Sequence, residues 1–327
     1  MITDAELNNL RIKQFIFHVV HHGPEEPELL DEVPIGDFEP FFLDRARDTL
    51  RGNAFEFLAH SETRRRLGMI DKTPATFVEI SKELAQDFHK QRDKRIKPGV
   101  FILMRLTSRI KTFFLVIKYE HERVVAYEIE KHRAILHEIK NSFTQSPSAL
   151  QKSAFIRLSR VGGDLVVIDR TIRKDITDFF RDFLGVRRKY DAVQMSEKVA
   201  EAVYETVRAH QADLPPAFAA NWRNNLDRVA SKRKVFDADD FVNVFFGAEA
   251  TEDVRETFTD ELTKRELKDE VFDFDRNAFK VSGITRYRTY EGVAVQVPAE
   301  ARDFVKVENL TDRSRIIITT KRVVERL

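Results

Sequence analysis

Basic side chains crowd the middle of this chain: Arg157, Arg160, Arg170, Arg173 and Lys174, then Arg187, Arg188 and Lys189. Guanidinium and ammonium groups clustered in this way neutralise phosphates without reading base sequence. Upstream, Arg105, Arg109 and Lys111 interleave with Leu106, Ile110 and Phe113, a second basic stretch mixed with apolar and aromatic types. The contact set expected for a nucleic-acid backbone is Arg157, Arg160, Arg173, Lys174, Arg187, Arg188 and Lys189. No helix-turn-helix, RNA-recognition or finger signature accompanies them, so no base-reading element is expected. The 27 Phe against 6 Tyr and 1 Trp speak for core rather than for a wet stacking surface.

Other reactive groupings are sparser. Glu138 and Lys140 form the Glu-x-Lys half of a metal-dependent nuclease core, in which a carboxylate binds metal and an amine steadies the attacking water or leaving group. No Pro-Asp partner precedes them, and the spacing is common in charge-rich segments. His18, His21 and His22 have the chemistry of metal ligands, but their spacing fits no familiar set, and a partly exposed strand end is expected. His132 and His137, five apart, share no helical face. Asp273 and Asp275 flank Phe274, which on a strand sends both carboxylates to one side; an edge strand with Phe272 and Phe274 buried shows the same pattern and is the expectation. Gly162 and Gly163 read as a turn, since neither GxxxxGK[ST] nor GxGxxG occurs, and no GxSxG elbow is present. Neither a cofactor nor an enzyme activity is expected.

The 327 residues, 42% apolar and 33% charged, suffice for two domains with real cores. Cys is absent, which excludes disulfides, thiolate metal sites and a Cys nucleophile and suits a reducing compartment. The start, MITDAELNNL, is polar and acidic, so no secretory signal is expected. The longest apolar runs, 100–104 and 113–117, fall far short of the ~18–20 residues that span a bilayer. The net charge of +1 conceals segmentation: residues 51–236 hold 36 basic and 23 acidic groups, whereas 237–275 hold 4 and 14. Either the surface is bipolar or the two populations pair with each other.

Several elements must position these residues. Alternation over 10–20 predicts an opening strand, a Pro-rich acidic loop follows, and helices are expected near 41–50 and 55–67. Phe77, Ile80, Leu84 and Phe88 fall on one face of a helix begun by Thr73 and Pro74. Runs at 100–106, 112–119 and 124–129 suggest an antiparallel meander. The runs at 154–160 and 165–169 flank the glycine turn as a hairpin. Ile172, Ile176, Phe179, Phe180, Phe183 and Leu184 trace a helix stripe stopped by Gly185. A domain boundary is expected at 186–190. Beyond it, Ser196 is expected to cap a helix, Phe218, Trp222, Leu226 and Val229 to build the next, Asp237 and Asp240 to form a capping box, and Thr251 to start another. Period-two patterns from Phe272 to Ile318 suggest short strands.

The stretch at 173–185, RKDITDFFRDFLG, resembles a signature of the bacterial nucleoid-associated family often called NdpA. Asp178, Phe179, Phe180, Asp182, Phe183, Leu184 and Gly185 fill its D-F-F-x-D-F-L-G places. VFILMRL and KTFFLVIKYE look like that family's paired central strands, and FDFDRNAFKVSGITRYRTYEGVAVQVP, DFVKVEN and RIIITT look like its β ending. The resemblance implies a cytoplasmic bacterial protein of mixed α and β structure, found with the nucleoid and without a known reaction.

Together these features define an α+β protein: an N-terminal mixed domain with an antiparallel sheet over 1–185, and a C-terminal domain of helices followed by short β-strands over 186–327. The expected role is non-enzymatic, with weak sequence-independent DNA binding or association with nucleoid proteins, no membrane partner, and self-association left open. The alternatives are a protein-interaction adaptor that docks through 237–275 and a nuclease using Glu138 and Lys140.

Overall fold

The computed structural model describes residues 1–21, 25–90, 97–120, 124–130, 133–139, 143, 150–279, 285–289, 291–297, 301, 304–309 and 313–320. The first strands are β1 (Arg11–Val20), β2 (Asn53–Phe57), β3 (Gly99–Ser108) and β4 (Lys111–Glu120). β5 (Val124–Glu130) and β6 (Arg133–Ile139) then pair with each other as a separate hairpin. β7 (Leu150–Leu158), β8 (Gly163–Asp169) and β9 (Val186–Arg188) complete an antiparallel sheet in the order β1-β3-β4-β7-β8-β2-β9. The meander therefore continues from β4 to β7, and β5 stands outside it.

Both faces of this sheet are buried, which explains why β3 and β4 read as near-continuous apolar runs. One face packs Phe101, Leu103, Phe114 and Val116 against α3 (Glu62–Lys72), α4 (Phe77–His89) and α5 (Asp178–Leu184). The other sets Ile102, Met104, Leu115 and Ile117 against α2 (Glu39–Thr49), with the short α1 (Asp4–Asn8) at the margin. Phe77, Ile80, Leu84 and Phe88 of α4 are buried as the spacing predicts. Each such side chain contributes about 1.5–3 kcal/mol relative to its exposed state.

Two expectations fail here for local reasons. Residues 55–67 are not one helix: Asn53, Phe55 and Phe57 alternate inward in β2, which sits between β8 and β9, and α3 starts only where the Ser61 side chain accepts the Arg64 N–H. The 172–184 stripe is also shorter than expected. Asp169 accepts the N–H groups of Thr171 at 2.9 Å and Thr177 at 2.8 Å, the Thr177 hydroxyl at 2.8 Å, and the ammonium of buried Lys152. These bonds hold 169–177 as a loop, so Ile172 is 41% exposed, whereas Phe180, Phe183 and Leu184 are buried. Gly185 ends the helix at φ 63°, and an added Cβ would meet Ser61 at 2.8 Å.

His18 is wholly buried in β1, and His21 lies within 3.6 Å of Glu25; His22 is outside the described residues. The Leu30 N–H donates to His18 Nδ1 at 3.0 Å, which leaves Nε2 3.2 Å from the Ser81 hydroxyl. Burial, aided by the charge of Lys82, lowers the His18 pKa from 6.5 to about 4. Between these values the unfolded chain binds the proton and the folded chain does not, so stability falls as pH drops from 6.5 towards 4. The expected loss is about 3 kcal/mol, and denaturation of His18→Gln should lack that dependence. A wild-type stability that stays flat across the window would refute the assignment.

The second half builds its own core from α6 (Ala192–Ala209), α7 (Pro216–Ala220), α8 (Trp222–Arg233), α9 (Ala238–Phe246) and α10 (Glu252–Lys264). β10 (Val235–Asp237) and β11 (Val271–Asp273) pair beside them. The hairpins β12–β13 (Thr285–Arg288, Ala294–Val297) and β14–β15 (Val305–Asn309, Ser314–Ile318) follow, so the fold is α+β as expected. Asp191, not Ser196, caps α6, in a reciprocal box with Gln194; the Ser196 hydroxyl instead accepts the Asp275 N–H at 3.0 Å. Thr251 does cap α10. Asp237 precedes α9 without a capping bond because its carboxylate is drawn elsewhere.

Candidate nucleic-acid interface

Register places four charged residues in one row across the sheet. Arg157 lies opposite Asp164, Asp164 opposite Glu56, and Glu56 opposite Arg187, on β7, β8, β2 and β9. Directly opposed residues share a face, so the row pairs internally. Arg157 reaches Asp164 at 2.8 Å and the Met1 carbonyl at 2.9 Å, and Arg187 reaches Glu56 at 2.6 Å. Lys189 stands 2.9 Å from Glu266 and 3.4 Å from Asp164. Burial opposes its charge, but these carboxylates raise its pKa above the ordinary lysine value.

The remaining expected cations meet the acidic segment. Arg173 contacts Asp237 at 2.9 Å and Lys174 contacts Asp273 at 2.5 Å. Arg188 approaches Glu270 at 2.9 Å, donates to the Val271 carbonyl at 3.1 Å, and lies over the Phe55 ring. The other Glu270 oxygen accepts the Ala54 N–H at 2.5 Å, and Asn53 accepts the Val271 N–H at 3.1 Å. Burial raises the Glu270 pKa while Arg188 counters it. Residues 186–188 are thus a sheet strand tied to residue 270. Beside this seam lies a cleft of about 470 Å³, walled by Arg51, Arg173, Asp237, Asp239, Lys268 and Asp269.

Six of the seven expected contacts therefore already hold an acid of their own chain; four of them, Arg173, Lys174, Arg188 and Lys189, use acids from 237–275. Pairing does not weigh equally on all. The Arg173 and Arg187 side chains are 80% and 69% exposed, and pairs of that kind are worth about 0–1 kcal/mol, so a phosphate competes readily for them. Arg188 is 14% exposed against a 4% exposed Glu270 and is committed to the fold. Arg160 stands apart: exposed, at the β7–β8 turn, with no ion pair among the described residues.

Arg64 is absent from the sequence-based set, yet it braces that turn by donating to the carbonyls of Gly162 at 2.9 Å and of Ser159 and Arg160 at 3.2 Å. No local signal marks it, because its partners lie about a hundred residues away. Asp273 and Asp275 do not converge: one holds Lys174, and the other accepts the Asn277 N–H at 2.8 Å. Glu138 falls in β6, and Lys140 and His132 lie outside the described residues. Among the described residues, no three His, Asp or Glu side chains gather to hold a metal, and no helix is long and apolar enough to cross a membrane.

No curated protein matches the chain. The family model described as nucleoid-associated protein YejK matches residues 25–321, which includes every strand of the large sheet except β1, the helical core and the terminal hairpins. The row of paired charges, the braced turn and the DFFRDFLG helix all fall within that span, and the chain belongs to the nucleoid-associated protein YejK family.

Proposed function

We propose that this protein works in the cytoplasm with the nucleoid as a non-enzymatic, weak and sequence-independent DNA binder. Family membership supports the nucleoid role. The observation that carries the weakness is the internal pairing: with Arg188 and Lys189 committed, only a few cations are left for phosphates. Arg160 leads them, and the exposed Arg173 and Arg187 can exchange partners. Arg157 and Lys174 contribute only where phosphate displaces Asp164 and Asp273. Such contacts position a protein on DNA without specifying sequence.

The test is a titration of duplexes of unrelated sequence at low salt, with Mg²⁺ present and the DNA recovered afterwards. Expected are similar affinities on every sequence and intact DNA. Cleavage lost on Glu138→Gln would favour the nuclease reading. A second reading has one favouring observation: Glu252, Asp253, Glu256 and Asp260 remain exposed on α10. This acidic face suits a basic protein already bound to DNA, and absence of any DNA binding at low salt would favour it.

A further inference from the structure

Two hairpin tips lie side by side at one end of the large sheet. β4 and β7 are neighbours, with Phe114 opposite Ile156 and Leu115 opposite Phe155. Beyond that pairing both chains run on to tips at the same end of the sheet, Arg109-Ile110 between β3 and β4 and residues 159–162 between β7 and β8. With about 4.8 Å between strands, the centres of the two tips lie about 10 Å apart. Each tip repeats one chemistry, an arginine followed by a β-branched aliphatic: Arg109-Ile110 and Arg160-Val161. Ile110 is 98% exposed and Val161 90%, the highest values among the large apolar side chains described. Neither arginine makes an ion pair among the described residues.

Ordinary turn chemistry does not call for the two exposed aliphatics, since Gly162 at φ 94° already supplies what the second turn needs. Two-residue hairpin loops favour Gly, Asn or Asp, and an exposed aliphatic at the tip gains nothing from the fold. Arg109 holds φ 55°, a conformation that glycine adopts at no steric cost. The second tip is stiffened by the three Arg64 bonds and closed by the Ser159 N–H to the Gly162 carbonyl at 3.3 Å. The second tip is thus held rigid, and both tips are cationic and apolar at once. Proteins that bend DNA combine these features: arginines drawn to the negative potential of a narrow minor groove, and aliphatic wedges that press between base steps.

We infer that the paired tips are a minor-groove contact, with Arg109 and Arg160 on the DNA backbone and groove walls and Ile110 and Val161 as wedges between base steps. This rests on the direct DNA contact proposed above and names where and how it is made. The charge complementarity selects DNA over an apolar protein partner.

The test uses the full chain and a 20-bp duplex carrying 2-aminopurine at a central TA step and a fluorophore pair at its ends. Wild type should brighten the 2-aminopurine and shorten the end-to-end distance. Ile110→Ser with Val161→Ser should abolish both signals while retaining binding. Arg109→Gly with Arg160→Ser should weaken binding at least about tenfold at 0.1 M salt and make the slope of log affinity against log salt shallower by about 1.8. All four side chains are exposed turn positions, so melting temperatures should stay at the wild-type value. If wild type binds DNA and both double variants match it in affinity, slope and fluorescence, the tips are not the contact, although direct binding stands. If wild type binds no DNA at 50 mM salt, direct binding fails and the tip assignment fails with it. Adsorption of wild type to anionic vesicles through Ile110 and Val161, without DNA binding, would equally overturn it.

Discussion

Phe180→Ala should lower stability by about 3–5 kcal/mol, the range for emptying a fully enclosed aromatic site. Phe180 has no exposed surface, stacks 6.3 Å from Phe183 and meets Phe88 edge-on at 6.3 Å. Phe88 in turn lies 4.9 Å from Phe183, so the three rings join α5 to α4 over the sheet. Removing the Phe180 ring leaves a cavity that two helices cannot close without losing their other contacts. Ile172→Ala is the internal control: the side chain is 41% exposed and should cost no more than about 0.5 kcal/mol. Denaturant unfolding of both variants checks the pair. An unchanged midpoint for Phe180→Ala would mean that α5 does not pack as described and is instead free to meet a partner.

Charge reversal along 187–189 should separate sharply by residue. Arg188→Glu sets two carboxylates together where Glu270 is only 4% exposed, and a buried charge stripped of its partner typically costs about 3–5 kcal/mol. It also removes the bond to the Val271 carbonyl and the contact over Phe55. Arg187→Glu, one residue earlier but 69% exposed, should change stability by no more than about 1 kcal/mol. Arg188→Met combined with Glu270→Leu should recover most of the loss, because both uncompensated charges go together. Equal stability of the Arg187→Glu and Arg188→Glu proteins would contradict the seam between β9 and residue 270. Reversing all three residues at once would confuse lost folding with lost DNA contact, so Arg187→Glu alone is the variant to assay for binding.

Much of this architecture is legible in the chain. The α4 stripe, the apolar runs of β3 and β4, and the glycine turn between β7 and β8 are local patterns whose causes lie within a dozen residues. β2 escapes because its Asn53-Phe55-Phe57 alternation spans five residues and abuts a helix, so a period of two and one of 3.6 compete. The start of α5 escapes because Asp169, nine residues earlier, captures Thr177. The cations of the candidate interface are plainly visible, but their partners are not: Arg173 pairs with Asp237, Lys174 with Asp273 and Arg188 with Glu270, across 64 to 99 residues. Composition shows a basic middle and an acidic segment, and only the tertiary fold shows that they meet. Arg109 likewise stands in the basic–aromatic stretch, yet its place beside Arg160 depends on the register of β4 with β7.

The central claim is that direct DNA contact uses only the few cations left over from internal pairing. The slope of log affinity against log salt for the wild-type protein on a short duplex measures this most directly, since each neutralised phosphate adds about −0.9. Contact through Arg109, Arg160, Arg173 and Arg187 predicts a slope of about −3 to −4, with binding lost towards physiological salt. A slope of about −6 or steeper would mean that all seven basic residues reach phosphates and that the pairs with the acidic segment open on binding, which contradicts the account.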